Sequence, residues 1–328
     1  MLKYKICLIF ILRESSMLSD WINEMRPRTL LLGFTNCALG CALGFYYGDV
    51  SLYTIITAVC IVITGVMLQI LCNFANDYGD AYRQADGKNR KGPIRAVMVG
   101  AISLTQLRKG MAVVTILATI CGALAVFLAV GNNLQVLSWF IFLGVISILA
   151  ALFYTIGMAY GYKGFGDIAV FIFFGLVAVI GSQILITAAS ENGLDMYPDT
   201  LLLGISSGLG SVMVLHVAST RDIIEDRQNG KHTLASFLGF KLSGIYLLAL
   251  LVGTILTSVA ACVFSHKVWE LSVIIFALIP LVAASFRTVK NINKPEKVAR
   301  ELKYTALGCA IHHTAWIIVL TLDFWVYA

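Results

Sequence analysis

The chain divides into long apolar runs of about 17–25 residues, parted by short polar stretches. Runs of that length are too long and too uniformly apolar for barrel strands, which alternate over about ten residues. They call for helices that cross a bilayer, where every backbone polar group is satisfied within its own segment. The spans read at roughly 29–47, 52–75, 110–130, 135–157, 167–188, 200–219, 242–264, 269–286 and 304–325. The expected fold is therefore all-α and integral to the membrane, a bundle of nine transmembrane helices. Composition points the same way: 13% of residues are charged, against about 25% in soluble domains.

The cations orient this bundle. Of the 24 Lys and Arg residues, all but Lys267 fall at the amino terminus or in the loops at 76–109, 158–166, 220–241 and 287–303. Those stretches share one side, and such asymmetry marks that side as cytoplasmic. The net charge of +6 thus reflects topology and anionic lipid, with no nucleic acid partner implied. Arg287, Lys290, Lys294, Lys297, Arg300 and Lys303 read as contacts to membrane lipid headgroups. The 8 cysteines form no CxxC pair and fall mostly in apolar runs, so they read as small buried hydrophobes without a disulfide framework.

The first residues, MLKYKICLIFILRESS, hold an apolar core too short to span and lack a small-residue cleavage site. Residues 1–16 are read as a possible upstream extension, and 17–328 as a single transmembrane domain. Trp21–Leu30 reads as an interfacial helix, with Trp21 at the headgroups and Arg26 and Arg28 in the cytoplasm. Pro27 begins the first span.

Two polar stretches stand out at the ends of apolar runs. In the first, NFANDYGDAYRQADGKNRKGPIR (73–95), Asn76, Asp77 and Asp80 close the second span. Asp86 follows, then Lys88, Arg90, Lys91 and Arg95. In the second, RDIIEDRQNGKHT (221–233), Asp222 and Asp226 stand among Arg221, Arg227 and Lys231. Spacings of i,i+3 and i,i+4 put each acidic pair on one helical face. Hard oxygen ligands suit Mg²⁺, which binds through a few carboxylates plus substrate phosphates. Cations beside them suit phosphate oxygens. Ionisable groups at a membrane mouth are functional candidates by default.

Taken together, ANDYGD and RDIIEDRQNGKHTL resemble the paired motifs of the UbiA superfamily of intramembrane prenyltransferases. The detail is most similar to the branch that prenylates 1,4-dihydroxy-2-naphthoate in menaquinone biosynthesis. RPRTL (26–30), RKGPIR (90–95), YTIG (154–157), YGYKGFGD (160–167) and FFG (173–175) carry that likeness. The resemblance implies Mg²⁺ on Asn76, Asp77, Asp80, Asp222 and Asp226, these aspartates being the catalytic acids. It implies diphosphate contacts from Arg90, Arg95, Lys231 and Arg221, with Asp86 beside the metal. Tyr154, Tyr162 and Asp167 would shape the acceptor pocket, while Tyr160 beside them reads rather as an interfacial anchor. The implied reaction joins a polyprenyl diphosphate to the naphthoate, with loss of CO₂ and diphosphate. The implied location is a bacterial cytoplasmic (inner) membrane, with the site open to the cytoplasm.

The chain departs from the pattern at Gln84, where the first motif has its last acid, and at His216–Thr220 and Met158–Ala159. Other aromatic acceptors, 4-hydroxybenzoate or homogentisate, therefore stand as alternatives. A transporter would place its binding groups near the midplane, whereas the acids here gather at one face. Gln69 and Gln183 are expected to make interhelical hydrogen bonds. His312 and His313 are expected to be packed or hydrogen-bonded, and the glycines within spans to allow close helix contact.

Overall fold

The computed structural model describes residues 17–83, 95–265 and 268–327. A short helix, α1, covers 17–25. It is followed by α2 (Pro27–Tyr47), α3 (Leu52–Tyr82), α4 (Leu104–Val130) and α5 (Leu134–Phe153). A 3₁₀ turn at Tyr160–Lys163 leads to α6 (Gly166–Val170), a wider π-type stretch (Phe171–Gly181) and α7 (Ser182–Ala189), which together make the fifth span. Then come α8 (Pro198–Arg221), a short α9 (Ile223–Gln228), α10 (Leu234–Phe264), α11 (Val268–Lys290) and α12 (Pro295–Tyr327). Among the described residues, 9 spans are long and apolar enough to cross a membrane, as the apolar runs predict. The possible extension at 1–16 lies outside the described residues.

Local sequence sets the ends. Ser51 and Ser103 cap α3 and α4 through reciprocal bonds with Thr54 and Gln106. Proline opens α2 and α8. The expected helix over Trp21–Leu30 does not run through. The chain breaks at Arg26, whose φ of 56° is left-handed, because a following proline disfavours helical geometry in the residue before it. Trp21 sits edge-on to Phe74 with ring centroids 5.5 Å apart.

Several spans outrun their apolar cores. The second was expected to end at residue 75, yet α3 continues to Tyr82 and carries the first acidic motif as helix. The last begins at Pro295 rather than 304, so most of the basic 287–303 stretch is helical. Apolarity marks where a helix meets lipid, not where its hydrogen bonds stop. Conversely, the fourth span was expected to reach 157 but ends at Phe153, and the chain then turns through left-handed Gly157 and Ala159.

Burial in lipid gives helices little hydrophobic reason to associate, so close packing and interhelical hydrogen bonds must hold them. Both are present. A Cβ on Gly175 would lie 2.5 Å from Gly208 Cα, which brings the π stretch backbone to backbone with α8. Gln69 accepts from the Gly33 amide at 2.8 Å, joining α3 to α2. Gln183 bonds instead to Thr187 and the Asp195 carbonyl, within and just beyond its own span. His313 bridges Thr35 on α2 at 3.1 Å and Ser207 on α8 at 3.2 Å. His312 pairs with Ser258 on α10 at 2.8 Å. Both histidines are therefore structural, as expected. The largest buried cluster joins α2, α8, α10, α11 and α12 around Leu39, Met213 and Trp316. A second apolar cluster sits where α1, α3, α4 and α5 meet, around Leu71, Phe74 and Leu107. It supports the end of α3 that carries the acids.

Candidate functional site

The last turns of α3 present Asn73, Asn76, Asp77 and Asp80. Asp77 is 1% exposed. It accepts a hydrogen bond from Arg26, the residue at the α1–α2 break. Arg95 Nε stands 3.3 Å from the same carboxylate oxygen. Glu24, fully buried on α1, accepts from the Val97 amide at 3.1 Å and so fixes the segment that carries Arg95. Burial and the nearby Asp77 charge hold the Glu24 carboxyl above its ordinary range, against the pull of the Val97 amide and the two arginines. Asn73 ties in the same neighbourhood, donating to the Met25 carbonyl at 2.9 Å.

Asp80 faces the second motif. Lys231 Nζ lies 3.0 Å from its carboxylate, and the Tyr162 hydroxyl donates to it. Lys231 also sits 4.5 Å above the Tyr162 ring, with Arg83 at 5.2 Å. The His232 amide donates to the Tyr162 carbonyl at 2.8 Å. Tyr162 thus clasps the end of α3 to the α9–α10 connection. Gly79 makes this possible from the other side: a Cβ there would lie 2.8 Å from Thr155, whose hydroxyl donates to the Ala75 carbonyl at 2.7 Å.

The second motif spans the α8–α9 corner. Asp222 follows the end of α8, and the Asp226 amide donates to its carbonyl at 2.8 Å. The i,i+4 register expected from sequence is kept. Arg221 grips Asp222 with two hydrogen bonds, of 2.6 and 2.5 Å. Asp226 accepts from Thr233 at 3.0 Å. Burial pushes the Asp226 carboxyl up to about 7, and Lys231 works against it. The Asp222 and Asp80 charges push it further in the same direction. The two motifs therefore act on one another electrostatically, although they are far apart in sequence.

A cavity of about 1220 Å³ adjoins this meeting point. Arg26, Asn73, Asn76, Arg95, Tyr154 and Arg221 form its polar end. Ile61, Ala118, Phe140, Phe174 and Leu185 line its apolar reach into the bundle. Of the predicted residues, Asn76, Arg95, Arg221 and Tyr154 reach the cavity wall, and so does Tyr160, expected as an interfacial anchor. Asp77 and Asp222 connect to the wall through Arg26, Arg95 and Arg221. Asp80, Asp226 and Lys231 gather beside it. Arg90 and Asp86 lie outside the described residues, as do Gln84, Lys88 and Lys91.

The donor set fits a hard divalent cation. Asn76 Oδ1 and Asp77 Oδ2 are buried without a hydrogen-bond partner. Such atoms are costly unless something satisfies them. Among the described residues, no three His, Cys, Asp or Glu side chains form a ready cluster. The acids are closed by cations of the chain itself. A bound ion would need further oxygen ligands, which a diphosphate has to offer.

Three residues of this site escape a reading by charge pattern. Arg26 passes for a topology-setting cation, and the hints of more are its place directly before Pro27 and in the RPRTL stretch. Glu24 looks like an exposed helix acid. Tyr162 looks like part of the acceptor pocket, and its hydroxyl donates to Asp80.

Residues 37–307 match the model of the UbiA prenyltransferase family. The chain belongs to that family. It is 32% identical to the 1,4-dihydroxy-2-naphthoate octaprenyltransferase of Escherichia coli, over 95% of this chain and 98% of that one. In fold, this UbiA family member is similar to a UbiA homolog from Aeropyrum pernix K1, with a TM-score of 0.67 and 16% identity over 88% of this chain and 97% of the other. It is also similar to a UbiA homolog from Archaeoglobus fulgidus bound to DMAPP and Mg²⁺, with a TM-score of 0.58 and 16% identity over 92% and 99%. At those identities the likeness speaks for the fold alone.

Proposed function

We propose that this multi-pass membrane enzyme transfers a polyprenyl chain from polyprenyl diphosphate to 1,4-dihydroxy-2-naphthoate. CO₂ and diphosphate leave, and demethylmenaquinol is formed. The observation that carries the acceptor is the near full-length similarity to the Escherichia coli octaprenyltransferase. What carries the donor is a polar, cationic cavity end opening on an apolar interior. That shape suits an anionic head on a long hydrocarbon tail.

Asn76, Asp77, Asp80, Asp222 and Asp226 would hold Mg²⁺, as the Mg²⁺-bound Archaeoglobus homolog suggests for the fold. When bound, Mg²⁺ would draw charge from the diphosphate and favour scission of its allylic C–O bond. Arg95, Arg221 and Lys231 then bind and orient the diphosphate, with Arg90 as a further candidate. Their charges oppose the negative charge that grows on the leaving group. The apolar wall excludes water, so the allylic cation meets the aromatic ring rather than solvent. Tyr154 stands at the wall where the acceptor would sit. The cation asymmetry supports a site opening to the cytoplasm from the bacterial inner membrane.

The test is prenyl transfer by the purified protein in detergent, with Mg²⁺ and a polyprenyl diphosphate. Demethylmenaquinol and CO₂ from the naphthoate are expected, with no product from 4-hydroxybenzoate. Transfer to 4-hydroxybenzoate instead would overturn the acceptor and leave the donor reading standing.

A further inference from the structure

One buried polar group lies just behind the cavity wall and has no part in the scheme above. Asp167 begins the fifth span, and His216 faces it from α8. His216 is fully buried and Asp167 is 8% exposed. Residues on both helices next to this pair line the cavity: Ala169 and Val170 beside Asp167, Leu215 and Ala218 beside His216. Tyr154, also on the wall, is pressed against the same place. A Cβ added to Gly166 would lie 2.6 Å from its hydroxyl.

The hydrogen bonds fix how the protons are arranged. His216 Nε2 lies 3.2 Å from the Ser243 carbonyl, which can only accept. That nitrogen therefore carries a proton, and Nδ1 of the neutral ring is a bare acceptor. Nδ1 faces Asp167 Oδ1 at 3.8 Å, and both atoms are buried without a hydrogen-bond partner. Two acceptors facing each other in a dry interior are unfavourable. One shared proton removes the conflict, as imidazolium with carboxylate or as imidazole with carboxylic acid. A movement of about 1 Å closes the gap to a normal hydrogen bond. The titratable groups facing the pair are Tyr246 on α10, whose ring stands edge-on to His216 with centroids 4.7 Å apart, and Tyr154 from the α5–α6 connection.

We propose that Asp167 and His216 hold the proton that the acceptor's ring hydroxyl gives up and takes back, with Tyr154 as the link. This rests on the hydroxyaromatic acceptor proposed above. Loss of the hydroxyl proton makes the adjacent ring carbon electron-rich. The allylic C–O bond breaks and its electron pair leaves on diphosphate. The ring carbon bonds to the allylic carbon, and the ring oxygen becomes a ketone. The bond to the carboxylate then breaks, CO₂ leaves, and its electron pair restores the ring as a phenolate. The stored proton returns to that oxygen, so none is consumed in the cycle. Asp167 and His216 are positioning residues here, since they act through Tyr154.

The test measures kcat and KM across pH for wild type, Asp167→Asn and His216→Gln, with Mg²⁺, polyprenyl diphosphate and the naphthoate. Both variants are expected to lose about a hundredfold in kcat near neutral pH, the scale of a lost acid–base partner. KM for the diphosphate should hold. The deficit should narrow as pH rises toward ionisation of the acceptor's own hydroxyl, and Asp167→Glu should recover part of the rate. A deficit equal at all pH would mark structural damage and overturn the inference, as would wild-type rates. Should the polar substitutions fail to fold, Tyr154→Phe removes only a hydroxyl and must give the same pH signature. Wild-type protein that prenylates no hydroxyaromatic acceptor would sink the functional reading itself, and this inference with it.

Discussion

Arg26 and Asp77, 51 positions apart, are hydrogen-bonded where α1 breaks from α2 against the last turns of α3. Asp77 has no exposed side-chain surface, and Arg26 keeps 20% of its own. Taking away one partner of a buried pair strands the other charge. Arg26→Met should destabilise the protein by about 3 kcal/mol, near the low end for such pairs because Arg95 remains beside Asp77. Thermal unfolding in detergent, followed by circular dichroism, reads this directly. An unchanged midpoint would mean that Arg26 contributes nothing to Asp77.

Metal removal gives a second prediction. EDTA should abolish prenyl transfer and added Mg²⁺ should restore it. Asp77→Asn and Asp226→Asn should each lower turnover on the order of a hundredfold, the scale of losing one contact to developing charge. Full activity in either variant would remove that residue from the metal site.

Gly239 interrupts α10 with φ 70° and ψ 176°, a region that is essentially closed to residues with a Cβ. The break lets Arg227 reach the Ser236 carbonyl at 2.7 Å, just after the loop that carries Lys231. Gly239→Ala should cost about 1–3 kcal/mol and raise KM for the prenyl diphosphate. A variant with wild-type stability and KM would show that the kink has no bearing on Lys231.

Gly175 tests packing away from the chemistry. A Cβ there would lie 2.6 Å from the Gly204 carbonyl as well as against Gly208. Gly175→Ala should destabilise by about 1–3 kcal/mol, as overpacked interiors do. Activity per folded molecule should hold. The two are separated by comparing melting midpoints with turnover per correctly folded protein.

Topology is open to a direct check. Alkaline phosphatase, active only outside the cytoplasm, should work when fused after Gly131 or Asn192 and fail when fused after Lys163 or Asn291. The reverse pattern would invert the membrane orientation and leave the fold unchanged.

Much of this was legible in the sequence, for a physical reason. Lipid demands long uninterrupted apolar runs, so the spans were countable, and cations sort by side. The acids stood out because carboxylates at a membrane mouth are costly to place. What stayed hidden depended on three-dimensional company. Tyr162 serves Asp80 because a 3₁₀ turn carries it over the end of α3. Glu24 is an ordinary helix acid until α1 folds back on the segment at 95–102. The Asp167–His216 pair joins the fifth and sixth spans: a motif marks Asp167, but nothing in the sequence pairs it with His216. Helix ends run beyond the apolar signal wherever a helix continues past the hydrocarbon, as α3 and α12 do.

His313 reaches back to Thr35, 278 positions earlier. Helix α2 therefore waits for α12, made much later, to complete its set of partners. Until the ribosome has delivered α12, Thr35 and Ser207 lack the imidazole that joins them. A chain released early would carry that open seam into the bilayer, a recognisable mark of an unfinished product for the cell's membrane proteases.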